Sequence, residues 1–331
     1  YHSDNLSIEY PVIENNLNYS LSYLSFRRDT YNFSAAAESL IIVKFLNLTV
    51  MKKLLIIAII FTIFDIKAQK YSLGEYDNKK VEKVAETIVV DTAKWEIIYA
   101  HVSKDKILDK EKADFEMLAI GNNYMWYGGY GNFQMDSIYR SDPNRIKSMT
   151  IKEYRALRSY YEPISSEMLR DNKNSIIHHF DKIFINNYKY EESLPEFDWN
   201  LEPETMEVMG HTCYKATTSW RGRDWTAWYC DIPMSAGPWK FNGLPGLILR
   251  LEDSDGNHLF DAIETKNITS PIGYKKRLRT KISREKFNEG LKDYKENAGK
   301  YFSNSGLINM SSEETENLKK KRSFFVPIEL E

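Results

Sequence analysis

The sequence predicts a mainly β fold, a curved antiparallel sheet or partly open barrel with peripheral helices. Three observations point there. Apolar and polar residues alternate with a period of two in runs from Thr92 to the stretch around Ile263, the period of a strand with one packed face. Turn-forming groups punctuate those runs at Gly121-Asn122-Asn123, Asn172-Lys173-Asn174, Arg221-Gly222 and Asp255-Gly256. Aromatic residues make up 14% of the chain, and such side chains suit the pleated, half-buried surface of a sheet.

The first 68 residues stand apart from that pattern. Met51-Lys52-Lys53, the apolar run Leu54 to Phe64 and the small-residue site at Ile66-Lys67-Ala68 together read as a signal peptide over 51–68. The apolar run is shorter than the ~20 residues a spanning helix needs, so no permanent transmembrane span is expected. No cysteine sits near the cleavage site to carry a lipid. The mature chain then starts near Gln69. Residues 69–331 read as a single β-rich domain, with a helical extension over about 271–331. Residues 1–50 read as translated sequence upstream of the true start, or as a disordered segment.

Within the domain, Thr92 to Val102 alternates as a strand, Asp114 to Ile120 returns, and Tyr124 to Tyr127 continues the sheet. Gly128-Gly129-Tyr130-Gly131 fails as a dinucleotide loop, because Gln134 stands where the third glycine belongs; it reads as a flexible turn. Thr150-Ile151-Lys152-Glu153 is a capping box. It opens a helix with Ile151, Tyr154, Leu157 and Tyr161 as the stripe packed on the sheet, ended by Pro163. Ser175 to Tyr190 holds one or two strands. Glu196-Phe197-Asp198-Trp199 starts the best-defined part of the sheet, which continues from Met206 to Trp220.

Two hairpins have a predictable register. With Arg221-Gly222 as the loop, Cys213 faces Cys230 at a non-hydrogen-bonded pair, where Cα atoms approach most closely. An exported chain meets an oxidising compartment, so this pair is expected to form a disulfide. With Asp255-Gly256 as the loop, Leu251 meets Phe260 and Arg250 meets Asp261. Further on, Lys275 to Lys281 is a basic run read as a solvated strand or linker. Ser283 to Asn297 is a helix with Phe287, Leu291 and Tyr294 as its stripe. Ser311 to Lys321 is polar nearly all round, and the apolar tail Phe324 to Ile328 is expected to dock.

One stretch organises all of this: Gly237-Pro238-Trp239-Lys240-Phe241-Asn242-Gly243-Leu244-Pro245-Gly246-Leu247-Ile248. Its glycines and prolines fix the backbone, and Leu244 to Leu247 reads as a type II turn with positive φ at Gly246. Gly243 to Ile248 spells GLPGLI. With Gly237-Pro238-Trp239, the run Arg223 to Tyr229, Ile232-Pro233 and the tail Pro327 to Glu331, the chain from about Tyr71 resembles the GLPGLI family of exported proteins of Gram-negative bacteria. That family's tail usually has asparagine before the proline, where this chain has Val326. The resemblance implies a periplasmic or secreted envelope protein and brings no established activity with it.

The chemistry is sparse. Net charge is −2, which gives no reason to expect nucleic acid as a partner. No nucleophile elbow, zinc-protease helix, Cys-x-x-Cys or phosphate loop occurs. The weak catalytic candidates are His211 with Asp224 and His179 with Asp181. Adjacent His178 and His179 point to opposite faces of a strand and so cannot share an ion; no metal and no cofactor are expected. Arg221, Arg223, Trp225 and Trp228 either rim a groove for a peptide, a lipid or an outer-membrane partner, or fill core and make surface pairs, since arginine and tryptophan suit both roles. Trp239 reads as core. The leading expectation is a non-enzymatic binding module; the alternative is a periplasmic hydrolase.

Overall fold

The computed structural model describes residues 77–82, 85–161, 164, 166–304, 313 and 326–330. The upstream segment, the signal peptide, Pro163 and most of Ser311 to Lys321 lie outside the described residues. Among the described residues, twelve strands follow in chain order: β1 Thr87–Asp105, β2 Lys110–Ile120, β3 Tyr124–Gly129, β4 Glu167–Asp171, β5 Ile176–Ile183, β6 Asn186–Ser193, β7 Asn200–Val208, β8 His211–Trp220, β9 Arg223–Cys230, β10 Ile248–Asp253, β11 His258–Lys275 and β12 Thr280–Lys281. Helices α1 Tyr130–Ser141, α2 Pro143–Ser148 and α3 Ile151–Tyr161 stand between β3 and β4; α4 Arg284–Glu296 and α5 Ala298–Asn304 follow β12.

All strands join one open sheet in the order β12-β6-β5-β4-β3-β2-β1-β11-β10-β9-β8-β7. Among the described residues, only the short β12–β6 pairing is parallel. The order dictates curvature. β6 and β7 are consecutive in the chain but ten places apart in the sheet. Ten strand spacings of about 4.8 Å would part them by about 48 Å if flat, whereas the six-residue connection between them reaches about 20–25 Å when fully extended. The sheet must curl until its two wings approach.

The inner face carries the largest core, including Tyr99, Leu118, Tyr127, Trp225, Leu249 and Phe260, and the segment between β9 and β10 fills it with Phe241, Leu244 and Leu247. The outer face holds Ile98, Met117, Trp126, Leu169, Phe180 and Ile272 under Tyr130 and Phe133 of α1. A third cluster seats Phe287 and Tyr294 of α4 on Ile183 and Tyr190.

The predicted hairpin registers hold. Cys213 opposes Cys230 and Trp220 opposes Arg223, closed by positive φ at Arg221 (51°) and Gly222 (76°), as a type I′ turn requires. Arg250 opposes Asp261 and Leu251 opposes Phe260, although the strands stop at Asp253 and His258, so the connection is longer than a two-residue turn. The capping box is formed: Thr150 N donates to Glu153 Oε2 at 2.7 Å and Glu153 N to Thr150 Oγ1 at 3.2 Å.

Four expectations need correction. Glu196 to Trp199 is not a strand but the crossing between sheet edges, where Phe197 stacks on Phe241 with centroids 5.0 Å apart; its alternation places aromatics inside without any ladder. The glycine run ends β3 with Gly128 and Gly129 and passes straight into α1, a helix without a side-chain cap and so without a start signal in the sequence. The α3 stripe is only half-buried, with no fully buried member, and Tyr154 meets Tyr139 of α1 rather than the sheet. In the central segment positive φ falls at Trp239 (56°) and Gly243 (91°), not at Gly246, so Leu244 to Leu247 is not a type II turn.

Candidate functional site

The chain leaves the sheet after Cys230, folds into the concavity and returns at Ile248. Backbone bonds fix both ends: Cys230 N donates to Leu247 O (2.9 Å), Leu247 N to Ile232 O (3.1 Å) and Ile248 N to Ala236 O (2.9 Å). The Tyr99 hydroxyl donates to Ile248 O at 2.8 Å. Gly246 is required by close approach: a Cβ there would sit 1.7 Å from Cys230 O. Trp239 takes φ 56°, which costs a non-glycine residue on the order of 1–3 kcal/mol and persists only where the surroundings hold it. Here its indole Nε1 donates to Glu329 Oε1 at 2.8 Å.

Next to it, Lys240 is buried and ion-paired with both Glu192 of β6 and Glu329, the latter at 2.6 Å. Arg284 Nη2 reaches Glu329 Oε2 at 2.6 Å. Arg221 stands 3.6 Å from Glu192 and 3.8 Å from Glu329. His179 Nε2 lies 2.5 Å from Glu192 Oε1 and its ring stacks on Tyr190. Burial alone would raise the Glu192 carboxyl, but His179 and Lys240 outweigh it and hold it down to about 2. Burial pushes His179 down to about 4, so it is neutral at pH 7. This network ties the two wings of the curled sheet to α4 and to the segment 326–330.

A second buried group holds the same segment from the other side. Arg223 Nη1 pairs with Asp253 Oδ2 at 2.6 Å, while Nη2 donates to Pro327 O (2.9 Å) and Nε to Ile328 O (3.1 Å). Pro327 O can only accept, so His258 Nε2 donates to it at 3.2 Å, and His258 Nδ1 then accepts from His101 Nε2 at 3.1 Å. His101 Nδ1 meets Glu116 Oε1 at 3.1 Å, and the Tyr127 hydroxyl donates to the other oxygen. Leu330 N closes the docking by donating to Arg221 O at 3.0 Å. The expected docking of the tail is present over residues 326–330, Phe324 and Phe325 lying outside the described residues, and the residues named in the resemblance provide most of it.

The sequence-predicted residues fall as follows. Arg223, Trp225 and Trp228 are buried and Arg221 half-buried; all four lie inside the clasp around 326–330 and the core beneath it, not around an open groove. His211 and Asp224 sit at opposite ends of the β8–β9 hairpin, about 26 Å apart along the strand, and are not brought together. His179 turns to Glu192. Asp181, two residues on, accepts from Lys182 N. Cys213 and Cys230 are opposed, as thiols. Sequence reasoning missed Glu192, Lys240, Asp253, His258, His101 and Glu116. Lys240 had a signal: a lysine among the apolar and constrained residues of the central segment must be paired if it is buried.

A family model described as a protein of unknown function (Porph_ging) matches residues 221–250, the span from the β8–β9 turn through the inserted segment to Arg250. No curated protein matches. Among solved structures, PNGF-II is similar in its C2 crystal form at 14% identity and TM-score 0.41, and in its P21 form at 13% and 0.42. Each match covers 62% of this chain and 34% of that one. The chain thus spans about a third of the length of those structures.

Proposed function

We propose that this chain is an exported protein of the GLPGLI type, placed in the periplasm or outside a Gram-negative cell, and that it binds a ligand or an outer-membrane partner without transforming it. The signature at Gly243 to Ile248, the match over 221–250 and the signal-peptide pattern at 51–68 support family and location. One observation carries the binding reading. The polar side chains of the signature and its neighbours are consumed in holding the fold: Lys240 by Glu192 and Glu329, Arg223 by Asp253 and the Pro327 and Ile328 carbonyls. Buried charges fully paired in this way make a rigid frame, and a rigid frame presents a surface with little ordering cost on binding.

The test is native mass spectrometry of the protein purified from its own envelope, beside a screen of an ester and peptide library with the wild type, His179→Asn and His211→Asn. A retained small molecule or stoichiometric partner with no turnover is the expected result. Turnover that disappears in either histidine variant would replace this reading by the hydrolase.

A further inference from the structure

On the outer side of the sheet, away from the signature, α1, α3, the ends of β5 and β6 and the chain leaving β11 enclose a pocket. Its cavity volume is about 120 Å³. Five cationic side chains line it, Arg158, Lys182, Lys275, Arg277 and Arg279, against three acids, Asp136, Glu167 and Asp181. The acids do not balance them. Asp136 is taken by Lys275, by Arg140 and by the Thr87 hydroxyl. Glu167 is half-buried; desolvation raises its carboxyl, against the opposing pull of Arg277 and Arg279. Among the described residues, Arg158, Lys182, Arg277 and Arg279 form no ion pair. These four come from α3, β5 and the basic run after β11, so the fold, not local sequence, gathers them.

We propose that this pocket binds a small molecule carrying a multiply charged oxyanion, either a phosphate ester or a polycarboxylate. Guanidinium groups pair with such oxyanions through two parallel hydrogen bonds, and arginine is favoured wherever that geometry is used. The rest of the wall suits an organic body. Phe180 stacks on Tyr274 at 5.2 Å and carries the Arg279 guanidinium 4.5 Å from its ring centre. Tyr139 and Tyr154 also line it, and Asn132 and Asn187 offer neutral hydrogen-bonding groups, the mix of apolar wall and few polar groups that ligand pockets show. The cations also repel one another. Lys275 is held down to about 8, by burial first and then by Arg277; Lys182 is lowered by burial, then by Arg158 and Arg277. A bound anion removes that repulsion.

This inference rests on the binding reading above and gives it a ligand class. Isothermal titration of the purified protein at low ionic strength tests it, with inorganic pyrophosphate as the phosphate probe and citrate as the carboxylate probe. Arg158 and Arg277 are exposed, so Arg158→Ser with Arg277→Ser should leave the fold intact, which a thermal melt checks. Saturable one-site binding of one probe is expected, weakened at least tenfold in the double variant and unchanged in Lys110→Ser, an exposed lysine on β2 outside the pocket. The preferred probe tells the two sources apart. No saturable binding of either probe would overturn the anion site, as would equal loss in the Lys110 variant. A neutral molecule retained in native mass spectrometry alongside such a failure would leave the binding reading standing and remove only the anion site.

Discussion

Arg223 and Asp253 form an ion pair at 2.6 Å with both side chains shut away from water, 4% and 0% exposed. Neither charge has solvent to fall back on. Removing one partner therefore leaves an uncompensated buried charge, which typically costs about 3–5 kcal/mol. Arg223→Met should lower the unfolding free energy measured by urea denaturation by that amount. Arg223→Met with Asp253→Leu should recover a large part of the loss, because the second charge is then gone too. A double variant no more stable than the single would show that Arg223 acts through the Pro327 and Ile328 carbonyls instead.

Lys240 is the second point where one side chain decides the state of a whole segment. Lys240→Met removes the shared cation between Glu192 and Glu329. The expected consequence is local first: residues 326–330 loosen, and the Leu330 amide, which donates to Arg221 O, exchanges its hydrogen faster by tenfold or more. Hydrogen-exchange mass spectrometry on peptides covering 326–330 and β9 reads this. Slow exchange retained in the variant would place the clasp in Arg223, His258 and the remaining Glu329 partners, Trp239 and Arg284.

Acid should weaken the protein in a defined window. His179 and His258 are each held near 4, mainly by burial, against an ordinary value of 6.5. The unfolded chain therefore takes up protons below about pH 6.5 that the folded chain refuses until about pH 4, and stability falls as pH drops through that range. Each histidine contributes at most about 1.4 kcal/mol per pH unit there. His179 faces Glu192, Lys240 and Glu329; His258 faces Asp253, Arg223 and His101. Glu192, held down to about 2, adds its own loss below its ordinary 4.5. Chemical denaturation at pH 4.5, 5.5, 6.5 and 7.5 should show the slope, and His258→Asn should reduce it. A flat profile from 6.5 to 4.5 would mean that neither histidine is buried neutral.

What the sequence disclosed follows from the range of the forces involved. Hairpin registers were legible because they depend on two turn residues and on side chains directly across a ladder: Cys213 with Cys230, Leu251 with Phe260. The capping box at Thr150 was legible for the same local reason. The curled order of strands was not, since it depends on where Phe197 and Trp199 pack after crossing between edges. Glu192, Lys240 and Glu329 were equally hidden as a set, because they meet only after the sheet has curled. Glycine at Gly246 was singled out for the wrong cause: its need is the nearness of Cys230 O, a tertiary contact, and not a local φ.

That contact makes a sharp comparison between two glycines. Gly246→Ala must push a methyl into a backbone carbonyl at 1.7 Å, in a segment pinned at both ends; a loss of about 3 kcal/mol or more is expected, in the range of overpacked cores. Gly210→Ala meets nothing within 4 Å and bears only the strain of φ 77°, about 1–2 kcal/mol. Thermal melts of both variants check the order. Equal losses would mean that the inserted segment can shift, and that the frame it builds is softer than its contacts imply.

Cys213 and Cys230 offer the last test, and it reports on compartment as well as structure. The two strands place them opposite each other at the closely spaced, non-hydrogen-bonded type of pair. The proximity of the two thiols, first among the causes, pushes Cys213 up and draws Cys230 down to about 6. We propose that export joins them: an oxidant of the envelope takes two electrons, two protons leave, and one sulfur–sulfur bond forms. Closing a loop of this length is worth about 3 kcal/mol. Protein taken from the envelope, denatured and treated with a maleimide before reduction, should gain no label and should gain two after reduction. Reduction should also lower the melting temperature, by an amount absent in Cys213→Ser with Cys230→Ser. Full labelling without reductant would rule out the disulfide and would count against an oxidising destination for the chain.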